Sequence, residues 1–302
     1  MASAPNSLVA TLIAHPSQPI LTDDVLAMAA GALGQETQRS VLASGIAADL
    51  IVPSPADAKA VEALLRSALG DRPVDVVVQP LGRRRKRLFL ADMDSTMIGQ
   101  ECIDELADYV GLKAEVSRIT ERAMRGEIAF EPALRERVAL LQGLPVGVVD
   151  EIIASRITLT PGGPELVRTM RRAGAHTCLV SGGFTLFTGP IGSIIGFDEH
   201  RANRLLLSGD TLAGAVEEPI LGREAKRSAL VELRDRLGLR HEDTLAIGDG
   251  ANDLAMLGEA GLGVAFRAKP AVAAAAHARV EHGDLTALLY AQGYRAEDIV
   301  RL

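Results

Sequence analysis

Apolar positions change their spacing twice along this chain. In the first part, short apolar runs alternate with amphipathic stretches, and residues 7–14, 37–42, 47–52 and 74–78 read as strands, the middle pair turning at Gly45. Thr22 stands where a cap would open a helix ending near Ala32. Ser54, with Pro55 at the first helical position, is expected to cap a second helix. The resulting order, β-α-β-β-α-β, predicts a ferredoxin-like plait over residues 1–82.

Residues 83–302 follow another pattern. They begin with five basic residues, Arg83 to Arg87, which read as a solvated linker. A strand at 88–91 comes next. From 100 to about 156 the spacing is helical, with Ile103, Leu106 and Val110 on one face and Leu134, Val138 and Leu141 on another. Beyond Pro161 helices at 165–173, 184–195, 223–237 and 253–260 alternate with strands at 176–180, 244–247 and 263–266. A hairpin at 205–216 turns on Ser208, Gly209 and Asp210, and the helix at 184–195 is expected to break at Gly189-Pro190. Short apolar strands between helices predict an α/β fold, a doubly wound and mainly parallel sheet covered on both faces. Ligands of such sheets bind beyond the carboxyl ends of the strands.

That rule sorts the polar residues. Three strands run into polar turns: 88–91 into Asp92-Met93-Asp94, 178–180 into Ser181-Gly182-Gly183, and 245–247 into Gly248-Asp249-Gly250-Ala251-Asn252-Asp253. In a parallel sheet these turns share one edge, where they gather four carboxylates, a hydroxyl, an amide and open backbone N–H groups. Carboxylates so crowded repel unless a cation or shifted pKa values relieve them. An all-oxygen set suits Mg²⁺, which takes few carboxylates, several waters and a substrate phosphate. Asp92 and Asp94 can then divide the work. One carboxylate attacks phosphorus and forms an acyl phosphate. The other, two residues along the same extended face, donates a proton to the leaving alkoxide and later takes one from water. Ser181 and a lysine are suited to holding the phosphoryl oxygens.

These three motifs, in this order and each after an apolar strand, resemble those of the haloacid dehalogenase superfamily and, within it, the phosphoserine phosphatases. The likeness runs from about Arg87 onward. Carried over position by position, it makes Asp92 the nucleophile and Asp94 the acid/base. It puts Mg²⁺ on Asp92, Asp94 (through its carbonyl) and Asp249, with Asp253 in support. Ser181, Gly182, Asn252 and Lys226 fall around the phosphate, although Arg223 and Arg227 lie close to that lysine. Residues 100–156 become a small helical cap inserted after the first strand. There Glu101 matches the position that meets the substrate's ammonium, Arg137 its carboxylate, and Met124 and Phe130 its apolar side. A zwitterion needs one anion and one bidentate cation, which Arg provides better than Lys.

The activity implied is Mg²⁺-dependent hydrolysis of O-phospho-L-serine to L-serine and phosphate, the last step of serine biosynthesis. A phosphatase or phosphotransferase for phosphothreonine or phosphohomoserine is the neighbouring reading. The N-terminal plait resembles the ACT type of regulatory domain in element order alone, which leaves amino-acid sensing or homodimerisation as its expected role.

Composition narrows the partners further. At 48% hydrophobic and 24% charged the chain is ordinary for a globular protein, and a net charge of −7 argues against nucleic acid. Cys102 and Cys178, with no C-x-x-C pair, fit a reducing cytoplasm and apolar packing. The apolar stretch near the N-terminus has no basic residue before it, and no run approaches the ~18 residues of a membrane-spanning helix. A small molecule is the expected partner, and no membrane is. The six histidines lack ligand spacing, so zinc is not expected.

Overall fold

The computed structural model describes residues 7–34, 37–53, 57–125 and 127–301, and of Met124 the backbone only. The first sheet has strands β1 (Leu8–Ala14), β2 (Gln38–Ala43), β3 (Ala47–Val52) and β4 (Val74–Pro80) in the order β2-β3-β1-β4, every neighbouring pair antiparallel. Helices α1 (Asp23–Ala32) and α2 (Ala58–Leu69) complete the ferredoxin-like βαββαβ order. Thr22 caps α1 as expected. Ser54 lies outside the described residues, and the cap of α2 is Asp57, whose carboxylate accepts from the Lys59 and Ala60 N–H groups.

Side chains alternate along β1. Leu8, Ala10, Leu12 and Ala14 pack with Leu26 of α1 and Leu65 of α2, whereas Ile13 joins the core of the larger sheet. Every residue of β1 is buried, so this central strand is covered on both faces, whereas the edge strand β2 is exposed at Gln38, Arg39 and Val41.

The larger sheet is parallel. After β5 (Leu88–Ala91) the chain makes an all-helical insert of α3 (Cys102–Tyr109), α4 (Lys113–Met124), α5 (Phe130–Ala139) and α6 (Val148–Ser155). It returns through α7 (Gly163–Arg172) to β6 (His176–Phe184), α8 (Thr185–Ile195) and β7 (Glu199–Asn203). The hairpin of β8 (Leu205–Ser208) and β9 (Thr211–Val216) precedes α9 (Arg223–Arg236), β10 (Thr244–Gly248), α10 (Leu254–Glu259) and β11 (Leu262–Phe266). The chain ends through α11 (Pro270–Ala275), β12 (Ala278–Val280) and α12 (Ala287–Ala291). Strand order is β12-β11-β10-β5-β6-β7. One face, with Leu88, Leu90, Val180 and Ala246, packs on Leu230 and Leu233 of α9 and Leu257 of α10. The other, with Phe89, Leu179 and Ile247, packs on Leu166 of α7 and Phe187 of α8. This is the doubly wound arrangement the spacing predicts.

Several local expectations fail for physical reasons. Val110 is 38% exposed because α3 ends before it, leaving Ile103 and Leu106 to carry the buried face. α8 runs unbroken through Pro190. β7 reads Glu-His-Arg-Ala-Asn and, as the edge strand of the sheet, carries no hydrophobic signal. The basic stretch 83–87 is not a solvated linker. Lys86 is buried and its ammonium donates to the Glu242 carbonyl at 2.8 Å. Burial lowers its pKa to about 8 against the opposing pull of Asp243. Arg84 pairs with Asp49 at 2.7 Å, and the Arg85 guanidinium lies 3.5 Å over the Tyr294 ring.

The two sheets are bolted together at Asp75. This fully buried carboxylate of β4 accepts from the backbone N–H groups of Glu281 at 2.8 Å and Gly283 at 2.7 Å. Gln79 adds a bond to the Ala291 carbonyl of α12 at 2.8 Å.

Candidate active site

Parallel register brings the three polar turns to one edge. β5 lies between β10 and β6, so Asp92 and Asp249 leave their strands at the carboxyl ends, whereas Ser181, expected in a turn, still lies within β6, which runs on to Phe184 with its register against β7 broken between Val180 and Phe184. A cavity of about 330 Å³ opens there. One wall carries Asp92, Asp94, Ser181, Gly182, Asp249 and Asn252, and the facing wall, from the insert, carries Glu101, Phe130 and Arg137. Lys226 and Asp253 lie behind the first wall, fully buried. The side chain of Met124 lies outside the described residues.

Asp92 sits at the junction of β5 and a tight turn. Its N–H donates to the Ile247 carbonyl at 3.0 Å, which ties it to β10, and its carboxylate accepts from the Met93 N–H at 2.8 Å. Asp94 stays extended, and Ser95 takes a left-handed conformation, φ 56°, that side chains other than glycine rarely adopt. That bend turns the chain so that the Ser95 hydroxyl reaches the Glu101 carboxylate at 2.7 Å.

The turn after β10 depends on missing side chains. A Cβ at Gly248 would fall 2.4 Å from Cγ of Asp253, and one at Gly250 would fall 2.2 Å from Oδ1 of Asn252. Glycine at 248 leaves room for the Asp253 side chain to fold back against the turn, where it accepts from the Gly250 N–H at 3.1 Å. At Gly183 an added Cβ would meet Oγ of Ser181 at 3.1 Å and Oδ2 of Asp94 at 3.2 Å, so that hydroxyl and that carboxylate face one small space. Phe130 covers it, since a Cβ at Gly182 would come 3.6 Å from its ring.

Buried charge organises the site. Lys226 reaches Asp92 Oδ1 at 2.6 Å and Asp253 Oδ1 at 2.8 Å. Burial works to lower the pKa of Lys226, but Asp92 and Asp253 outweigh it and hold the ammonium above its ordinary value. Burial raises the Asp94 carboxyl to about 7, with Glu101 adding repulsion. Asp249 is raised by burial and by Asp253, while the Thr96 hydroxyl, donating at 3.2 Å, works against this. Glu101 is raised by loss of solvent. Arg137 is lowered by the same cause, although Asp104 and Glu101 pull it back.

Asp92, Asp249 and Asp253 each offer a carboxylate oxygen within 4.8 Å of the others. Three hard, anionic donors with a single internal cation fit a Mg²⁺-sized ion. The Asp94 carboxylate is not one of that trio; its Oδ1 accepts from the Cys102 N–H at 3.4 Å, and its Oδ2 faces the Ser181 side of the cavity.

Sequence reasoning found most of this and missed two parts. Thr96, bonded to Asp249, had a signal in its place two residues after Asp94. Lys269 lines the cavity beside the 249–252 turn yet follows β11, a strand whose end offered no polar cluster. Among the described residues no helix is long and apolar enough to cross a membrane.

With this geometry in place, comparison with known proteins gives a consistent picture. The family model of haloacid dehalogenase-like hydrolases matches residues 89–258. A phosphoserine phosphatase of Polaromonas sp. is 46% identical over 221 residues, covering 72% of this chain and 94% of that one. A solved HAD family hydrolase from Salmonella enterica serovar Typhi superposes with a TM-score of 0.84 at 28% identity, over 94% of this chain and 97% of that one. The unliganded structure of a probable phosphoserine phosphatase from Vibrio cholerae gives a TM-score of 0.79 at 28% identity, over 97% and 88%.

Proposed function

The chain belongs to the haloacid dehalogenase-like hydrolases, and we propose that it hydrolyses O-phospho-L-serine to L-serine and phosphate. One observation carries the choice of substrate. The wall that would face the phosphoryl group ends in Asp92, Asp94 and Ser181, while the wall opposite presents one carboxylate, Glu101, and one guanidinium, Arg137. A small zwitterionic phosphomonoester matches both walls in charge.

In this reading Asp92 attacks phosphorus and forms an aspartyl phosphate while the serine oxygen leaves. Lys226 holds the nucleophile in place through its 2.6 Å contact. Asp94, its carboxyl raised to about 7, carries the proton needed by the departing alkoxide and, once ionised, takes one from the water that opens the acyl phosphate. Ser181 and the 182–183 backbone receive the equatorial oxygens. Mg²⁺ bound by Asp92 and Asp249, with the Asp94 carbonyl and Asp253 in support, would neutralise phosphoryl charge. Phe130 keeps bulk water from the intermediate.

Residues 1–82 are assigned as an ACT-like N-terminal domain and 83–302 as the phosphatase domain, with its cap at 100–156. The βαββαβ order supports the first assignment. Cytoplasmic residence and a homodimer fit the biosynthetic role. The test is turnover of a phosphomonoester panel with and without Mg²⁺. Phosphoserine should be preferred over phosphothreonine and phosphohomoserine, and excess EDTA should silence the enzyme. Equal rates across the panel would reject the substrate assignment.

A further inference from the structure

We infer that Lys269 is a substrate-binding residue that holds the phosphoryl group at the mouth of the cavity, an inference resting on the phosphatase reading above. Lys269 is exposed and lines the cavity on the same wall as Asp249 and Asn252. Two other cations serve the site, Lys226 wholly and Arg137 in part engaged within the protein. Lys226 is held between Asp92 and Asp253, and Arg137 donates to the Ala133 carbonyl at 3.2 Å. The Lys269 ammonium has no hydrogen-bond or ion-pair partner among the described residues, while its carbonyl is fixed by the Val272 N–H at 2.9 Å. The backbone that delivers it is strained, since Arg267 takes φ 45° and is pinned there by its N–H to the Val280 carbonyl at 2.9 Å.

The wall matters to the assignment. Asp92, Asp94, Glu101 and Asp249 line the cavity, so a phosphate dianion meets repulsion on approach. A substrate whose phosphorus faces Asp92 turns its phosphoryl oxygens toward the 249–252 turn, beside Lys269, and its amino-acid end toward Glu101 and Arg137. An unpaired lysine at that place offers a point charge on a flexible stem that can follow the group inward.

The probe is inorganic phosphate, titrated calorimetrically into the full-length Mg²⁺-loaded protein. Lys269→Ala should weaken phosphate binding about tenfold, as expected for one charge-assisted hydrogen bond, and should raise KM for phosphoserine with little change in kcat. Lys269→Arg should restore most of both. Lys59→Ala, on α2, removes the same net charge and should leave phosphate affinity unchanged. Unaltered affinity and KM in Lys269→Ala would overturn the inference, as would an equal loss in Lys59→Ala. If the native protein turns over no phosphomonoester, yet phosphate affinity still falls in Lys269→Ala alone, the substrate reading fails and the Lys269 site stands.

Discussion

Arg137→Ala separates recognition of the amino-acid end from the chemistry at phosphorus. Arg137 is half-buried in α5, with Nε bound to the Ala133 carbonyl at 3.2 Å and Nη1 3.5 Å from the Thr120 hydroxyl. The rest of its fork is left for the cavity it lines. Two charge-assisted hydrogen bonds to a substrate carboxylate contribute about 3 kcal/mol, or roughly 150-fold in kcat/KM. Phosphoethanolamine keeps the ammonium and the phosphate but has no carboxylate. Its kcat/KM should fall only a few-fold, through a secondary effect: removing the guanidinium also takes away the cation that draws the Glu101 and Asp104 carboxyls down. The quantity to measure is therefore the ratio of kcat/KM for the two substrates, expected to shift by about thirtyfold or more. Arg137→Lys should recover only part, because a point charge cannot make the bidentate contact. Equal losses for both substrates would refute the carboxylate role.

Other outcomes follow from the same geometry. Asp92→Asn should abolish nearly all turnover while leaving a cooperative unfolding transition; retained activity would reject it as the nucleophile. Lys226→Met leaves two buried carboxylates without their shared cation and should cost about 3 to 5 kcal/mol in urea unfolding, so an unchanged midpoint would show that the ion network contributes nothing. In EDTA the raised Asp94 carboxyl makes the folded state the stronger proton binder. That stabilising term is complete below the ordinary carboxylate range and lost as pH rises through about 7, so the unfolding midpoint should fall over that interval, less steeply in Asp94→Asn. Mg²⁺ at a hundred times its Kd should return about 2.7 kcal/mol, and no thermal shift would argue against the cluster as its site. Asp75→Ala orphans the backbone N–H groups of Glu281 and Gly283 and should cost about 3 kcal/mol, read in the melting temperature.

The Asp75 junction also changes what the N-terminal plait can be asked to do. Ile13 and Val77 belong to the same core as Phe89 of the larger sheet and Tyr290 of α12. A fragment ending at Gly82 would expose that face, and the remaining chain would expose its counterpart. Ligand sensing by the plait is therefore best sought in the full-length protein, where any change at β4 reaches loop 281–283 directly. That loop continues to Leu285, whose N–H donates to the Pro161 carbonyl at 3.0 Å, at the point where the helical insert rejoins the sheet.

What the sequence made legible divides along a physical line. The strands that lead to Asp92, Ser181 and Asp249 were readable because each is an apolar run broken abruptly by polar residues, and a parallel sheet leaves one place for such segments to meet, although β6 runs on through Ser181 to Phe184. The strand at 7–14 was readable too, although it shows no polar alternation. Leu8-Val9-Ala10-Thr11-Leu12-Ile13-Ala14 is apolar or small on both faces, and an antiparallel strand of that kind must be covered twice. The cover comes from α12, more than two hundred residues away, and the 83–87 cations likewise find distant partners, Arg84 at Asp49, Arg85 at Tyr294 and Lys86 at the Glu242 carbonyl. Lys269 was hidden for the same reason. Local spacing shows that a lysine follows β11, but only the placement of β11 beside β10 in the sheet brings that lysine to the rim that Asp249 and Asn252 occupy. Residues whose role depends on strand order, rather than on the strand that carries them, need the assembled fold to be found.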